Sequence, residues 1–222
     1  MKAAVIVFPG SNCDRDLAVA LEKTGADVEM VWHKDTALPK GIDLVAVPGG
    51  FSFGDYLRCG AIAANSPICG ELKAHVERGG YALGICNGFQ VLTETGLLPG
   101  ALRRNAGLKY ICKPIDLRVE TTDTAYTADY SEGQVITVPI AHHDGNYYVD
   151  ETKLAEISGE GRIAFRYLDN PNGSVADIAG VVSRNRRVLG MMPHPERMSE
   201  PSHGGTDGKA MFTSLMSQMA LV

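Results

Sequence analysis

The first third of the chain alternates short apolar runs with amphipathic segments, and that alternation restricts the fold more than any other feature. Residues 3–8 form a continuous apolar run rich in β-branched side chains, stopped at once by Pro9-Gly10-Ser11-Asn12. A run of this kind is a strand buried on both faces, as in parallel sheets covered by helices. Residues 14–24 read as an amphipathic helix, with Leu17, Ala20 and Leu21 on one side and Gly25 past its end. Residues 27–32, 43–47 and 81–85 repeat the strand pattern, and a helix over 67–79 opens on Pro67 and stops at Gly79-Gly80. The expected fold is α/β, a doubly wound, mainly parallel sheet of βαβ units. In such sheets the ligand lies beyond the carboxyl ends of the strands. The turns to search are therefore 9–12, 48–55 and 86–88.

The second half carries a different signal. Residues 111–120, 134–139 and 163–167 read as strands with turn-rich connections, and 178–183 with 188–192 as a hairpin. A closing helix is expected over 207–219, where Ala210, Met211, Leu215 and Met219 fall near helical spacing. These segments predict additional antiparallel strands in the second half. With no repeat or composition break, the expectation is one domain over 1–222.

Composition removes several function classes. At 45% hydrophobic and 21% charged residues the chain is neither disordered nor fibrous. Its net charge of −5, with no basic cluster longer than Arg184-Asn185-Arg186-Arg187, argues against nucleic acid as a partner. The first apolar run is too short for a membrane span or a secretory segment, so no membrane association is expected. Five cysteines, Cys13, Cys59, Cys69, Cys86 and Cys112, include no C-x-x-C pair. No zinc site and no disulfide framework is expected, which points to a reducing compartment, the cytoplasm.

One cysteine stands apart. Gly84-Ile85-Cys86-Asn87-Gly88 has the form G-x-nucleophile-x-G, after an apolar strand and before a helical segment over 89–95. That is the context of a nucleophile elbow, where small neighbours permit a strained turn. The helix N-terminus favours a thiolate there, and the Asn87 amide can face a developing oxyanion. The other four cysteines lack this context and read as small buried hydrophobes.

A cysteine nucleophile needs an oriented base. Met192-Pro193-His194-Pro195-Glu196-Arg197 follows an apolar strand, and Pro195 biases His194 toward extended backbone. Residues two apart in extended chain share a side, so Glu196 can fix the His194 tautomer. A third element, Pro48-Gly49-Gly50-Phe51-Ser52-Phe53-Gly54-Asp55, follows a strand on the same edge. It can offer a backbone amide to an oxyanion, and it lacks the spacing of a nucleotide P-loop.

Together these motifs resemble the class I, or triad, glutamine amidotransferases, which carry a Cys-His-Glu triad on a flavodoxin-like α/β domain and release ammonia from glutamine. The likeness extends through residues 8–16, 49–58, 84–90 and 191–197, and through Pro171-Asn172-Gly173-Ser174. These longer stretches resemble the purine-biosynthetic branch of the family. The resemblance implies Cys86 as nucleophile, His194 as base and Glu196 as its orienter, with Gly50 and Asn87 as oxyanion donors. It also implies that Gln90 touches bound glutamine and that the loop holding His142 and Gly145 lies near the glutamine pocket. No cofactor is implied in this chain. The implied partners are a large synthetase subunit, which uses ATP and magnesium to aminate formylglycinamide ribonucleotide, and a small accessory subunit.

Two other readings remain at this point. One is a different cysteine-elbow hydrolase on the same fold, such as a γ-glutamyl hydrolase or a DJ-1-like enzyme. The other is a non-enzymatic flavodoxin-like binding module. The Pro-His-Pro-Glu run disfavours the DJ-1-like enzyme, and the complete triad argues against the module.

Overall fold

In the computed structural model the chain begins with β1 (Lys2–Val7), helix α1 (Asp14–Glu22) and β2 (Asp27–Trp32), which lies parallel to β1. β3 (Leu44–Val47) pairs parallel to β1 on its other side. Helices α2 (Cys59–Ala64) and α3 (Pro67–Glu77) lead into β4 (Tyr81–Ile85), parallel to β3, and then α4 (Asn87–Glu94). The structure describes residues 1–56 and 58–220; Leu57, within the 49–58 stretch, and Leu221 and Val222, within the expected domain, lie outside the described residues.

The second half supplies β5 (Ala101–Arg103), β6 (Ile111–Val119), β7 (Val135–His142), β8 (Asn146–Tyr148), α5 (Glu151–Gly159), β9 (Ile163–Tyr167), β10 (Ile178–Val182), β11 (Val188–Met191) and α6 (Lys209–Met219). One nine-stranded sheet runs β2-β1-β3-β4-β11-β10-β9-β6-β7, while β5 and β8 form a separate pair. β11 lies parallel to β4, so five strands are parallel; β10, β9, β6 and β7 continue antiparallel. This is the expected α/β fold: a flavodoxin-like parallel half with an antiparallel extension.

Burial explains the difference between the halves. β3, β10 and β11 are buried at every residue, as are residues 3–6 of β1. β7 alternates buried and more exposed positions, as a strand with one covered face does. Two helices escaped the sequence reading. α2, Cys-Gly-Ala-Ile-Ala-Ala, is too short and too rich in small residues to show a period. α5 did carry a start signal, Asp150, whose carboxylate accepts from the Lys153 amide at 2.7 Å.

The antiparallel extension curls back over the parallel half. β7 is the far edge of the sheet, yet the Pro139 carbonyl accepts from the His194 amide at 2.9 Å, just after β11. Asp207 Oδ2 likewise accepts from the Thr137 amide at 2.8 Å. This curl sets the end of β7 against the carboxyl ends of β4 and β11.

Candidate active site

Cys86 follows β4 and caps α4 with φ 51° and ψ −106°, a conformation costly for any residue with a Cβ. The flanking glycines make the turn possible. A Cβ on Gly88 would strike the Val47 carbonyl of β3, and one on Gly84 would lie 2.7 Å from the Gly88 carbonyl oxygen. Only glycine lets the first turn of α4 approach the sheet this closely. The thiol, 5% exposed, donates to the Ala141 carbonyl of β7 at 3.8 Å.

His194 and Glu196 meet side by side as the motif implied, through different backbone geometry. His194 Nδ1 and Glu196 Oε1 lie 2.6 Å apart, and both side chains are buried. The sequence suggested an extended run placing them on one side. Instead His194 has φ −107° and ψ 84°, and Pro195–Met198 is a 3₁₀ turn that folds the carboxylate under the ring. Proline supplies the fixed φ that opens such a turn. Burial alone would lower the His194 pKa, but the Glu196 carboxylate and Cys86 together outweigh it and raise it.

The glycine loop lies against both partners. A Cβ on Gly49 would sit 2.7 Å from His194 Cε1 and 3.1 Å from Cys86 Cβ, so Cys86 and His194 flank one glycine. Gly50, at φ 119°, is pressed against Asn12: a Cβ there would meet the Asn12 nitrogen at 2.6 Å. The Gly50 and Asn87 amides donate to no acceptor among the described residues. Both stay available to an oxyanion.

The residues expected around glutamine occupy a tight polar network. Gln90 Oε1 accepts from Asn87 Nδ2 at 2.6 Å and from the Cys59 thiol at 3.2 Å, and Gln90 Nε2 donates to the Asp144 carbonyl at 2.9 Å. Its amide is thus committed within the protein. The Cys59 sulfur also lies 3.3 Å from Asp55 Oδ1, an alternative acceptor for its one proton, and so links the glycine loop to α4. Burial, with the nearby His194, lowers the His142 pKa to about 4, so its ring is neutral.

Sequence reasoning missed Asn105, which organises this loop. Its Oδ1 accepts from His142 Nδ1 at 3.0 Å and from the Gly145 amide at 3.1 Å. Its Nδ2 donates to the His142 and Lys109 carbonyls at 3.0 and 2.8 Å. Asn172 and Ser174 hold the Gly145 carbonyl at 2.9 and 3.3 Å. The 171–174 stretch was legible as a resemblance; an asparagine bonding to a loop 37 residues away has no local signature.

Cys13 packs beside the His194–Glu196 pair as a small buried side chain, as read from the sequence. It begins α1, is 2% exposed, and has its ligating atom within 4.8 Å of those of His194 and Glu196. Burial, against the opposing pull of Arg197, pushes its pKa up to about 12. Arg197 is held by Asp16 of α1, with Nε donating to Asp16 Oδ2 at 2.9 Å and Nη2 in ion-pair contact with the same oxygen at 2.8 Å. A small cavity of about 20 Å³ is lined by Cys13, Gly50, Phe51, Tyr110, His194 and Arg197, among others. A cavity of about 670 Å³ lies at the opposite end of β3 and β4, among Asp43, Arg78, Tyr81 and Arg187. It contains none of the residues of the candidate active site.

Comparison with known proteins matches this geometry to a family. Residues 1–206 match the family model of the CobB/CobQ-like glutamine amidotransferase domain. A phosphoribosylformylglycinamidine synthase subunit PurQ from Ruegeria sp. strain TM1040 is 71% identical over 215 residues, covering 97% of each chain. Its namesake from Roseobacter denitrificans is 68% identical over 222 residues, covering all of both. A chain of the solved PurLQS structure from Thermotoga maritima superposes with a TM-score of 0.90 at 44% identity, over 98% of each chain. With its elbow, buried His–Glu pair and α/β sheet, the chain belongs to the CobB/CobQ-like glutamine amidotransferase family.

Proposed function

We propose that the chain is the glutaminase subunit of phosphoribosylformylglycinamidine synthase, acting in purine biosynthesis. The observation that carries this reading is Cys86, held at positive φ beside the buried His194–Glu196 pair. The identity to the PurQ relatives, over nearly the whole chain, supports the choice of synthase.

In this reading Cys86 attacks the side-chain amide carbon of glutamine, its proton passing to His194. The Gly50 and Asn87 amides receive the negative charge on the tetrahedral oxygen. Glu196 holds the Nδ1–H tautomer of His194 and stabilises its charged form. His194 then protonates the departing ammonia, leaving a thioester on Cys86. Water, deprotonated by His194, attacks the thioester and releases glutamate. Gln90, His142 and Gly145 shape the glutamine pocket through the Asn87 and Asn105 networks.

The ammonia goes to a large synthetase subunit that uses ATP and magnesium to convert formylglycinamide ribonucleotide to formylglycinamidine ribonucleotide. A small accessory subunit completes the assembly. The Thermotoga relative, solved as PurLQS, supports a multi-subunit complex. This chain uses no cofactor of its own and works in the cytoplasm. Among the described residues no helix is long and apolar enough to cross a membrane.

The test uses the assembled complex. Cys86→Ala should abolish glutamine-dependent synthesis while high ammonia still supports it, and a glutamine-mimicking electrophile should label Cys86 alone. Retained glutaminase in Cys86→Ala, or labelling elsewhere, would exclude the reading.

A further inference from the structure

The cavity of about 670 Å³ at the amino ends of β3 and β4 has no part in the reaction described above. Pockets that hold small molecules span about 300–1,000 Å³. Its lining is cationic: Lys40, Arg78 and Arg187 stand against one carboxylate, Asp43. In a chain of net charge −5 that is a local reversal of sign. Asp43 is already engaged, accepting from the Lys2 amide at 2.7 Å. Lys40 and Arg78 are exposed, and neither side chain enters an ion pair or hydrogen bond among the described residues. His75 adds no charge, because burial lowers its pKa and its Nε2 donates to the Tyr81 carbonyl at 3.1 Å.

The rest of the lining is apolar. Pro39, Ile42, Met219 and the Tyr81 ring all contribute, each half-buried. The two kinds of wall meet at Arg187. Its guanidinium carbon lies 5.1 Å from the centre of the Tyr81 ring, and its Nη1 donates to the Gly79 carbonyl. A Cβ on Gly79 would lie 3.2 Å from that nitrogen, so glycine lets the guanidinium come this near the backbone. The carbonyl end of α3 carries partial negative charge, and Arg187 covers it. Tyr81 rests edge-on against the buried Tyr126, ring centres 6.4 Å apart. The Tyr126 hydroxyl lies 2.8 Å from both the Ala82 and Arg187 carbonyls, bracing the starts of β4 and β11 together. A ligand entering here meets Tyr81 and Arg187 already ordered, which lowers the entropic cost of binding.

We propose that this cavity binds a nucleoside phosphate, with the phosphate held by Lys40, Arg78 and Arg187 and the base lying against Tyr81, Ile42 and Met219. The planar fork of arginine matches phosphate geometry and also stacks on flat rings. Inorganic phosphate would leave the apolar lining unused, and an uncharged nucleoside would leave the cations unused. The site lies at the other end of β4 from Cys86, so its occupation and the glutaminase reading are independent of each other.

The experiment uses the full chain purified without partner subunits, so that no nucleotide site of another protein is present. Calorimetric titration with adenosine 5′-monophosphate should show one site. Adenosine and inorganic phosphate, each carrying part of that ligand, should bind at least tenfold more weakly. Affinity for the monophosphate should fall as salt is added. Arg78→Gln changes an exposed side chain and should weaken binding at least tenfold without changing the melting temperature. Arg187→Lys keeps the charge, loses the fork and should act in the same direction. Tyr81→Leu should weaken the monophosphate and leave inorganic phosphate unchanged. No binding at millimolar monophosphate, or equal affinity in the parent, Arg78→Gln and Arg187→Lys, overturns the proposal. Inorganic phosphate binding as tightly as the monophosphate would also overturn it, leaving a simple anion site.

Discussion

His194 Nδ1 and Glu196 Oε1 lie 2.6 Å apart inside a 3₁₀ turn, with both side chains withdrawn from solvent. Buried this way, the carboxylate fixes the imidazole tautomer and supports its positive charge. Glu196→Gln keeps the shape and loses both effects. Turnover should fall by roughly 10²–10⁴-fold, as wrong-tautomer substitutions do in related triads. Apparent glutamine affinity should change far less. Steady-state kinetics of the assembled enzyme check this, and near-normal turnover would remove Glu196 from its role.

Gly88 and Gly49 should fail in different ways. A Cβ on Gly88 meets the Val47 backbone, which cannot move without opening the sheet. Gly88→Ala should lose about 3 kcal/mol or more of stability. A Cβ on Gly49 meets His194 and Cys86 side chains instead. Gly49→Ala should fold, with a smaller shift in urea midpoint, and lose most glutaminase activity. The reverse order of stabilities would contradict this account.

Asn105 uses both donors and both acceptors of its amide to bind residues 109, 142 and 145. Asn105→Ala strands several buried polar groups at once. The expected cost is about 3 kcal/mol in stability, with a raised KM for glutamine as the 142–145 loop loosens. An unchanged KM in a destabilised variant would confine Asn105 to folding.

His142 makes stability depend on pH. Its folded pKa, near 4, lies below the ordinary 6.5, so the unfolded chain binds the extra proton between those values. Its contribution is therefore complete above pH 6.5 and is lost as pH falls toward 4, reaching about 3 kcal/mol. Urea unfolding of the parent should weaken over that window. His142→Gln should flatten this part of the curve; an equally steep decline would assign it to other groups.

The parallel strands were legible because burial on both faces leaves an unbroken apolar run, and Gly84 and Gly88 betrayed the elbow because no other residue fits there. Cys86, His194 and Glu196 were legible because proline and glycine fix backbone locally, whatever lies elsewhere. Even so, the 3₁₀ turn that joins His194 to Glu196 was read as extended chain, since proline restricts its own φ and biases its neighbour without dictating the following turn.

The sequence by itself determined the alternating α/β order and the carboxyl-edge turns, and it singled out Cys86 and the His194–Glu196 pair as candidates, all from patterns a few residues long. Only the tertiary structure decided what surrounds them. The curl of the sheet carries Ala141 to Cys86 and Pro139 to His194, and the start of α1 brings Cys13 and Asp16 beside residues 181 positions later. Asn105 reaches its loop in the same way. Such contacts form when distant apolar surfaces are buried together, a global consequence of packing. No local pattern in the chain records which polar side chains that packing will bring face to face.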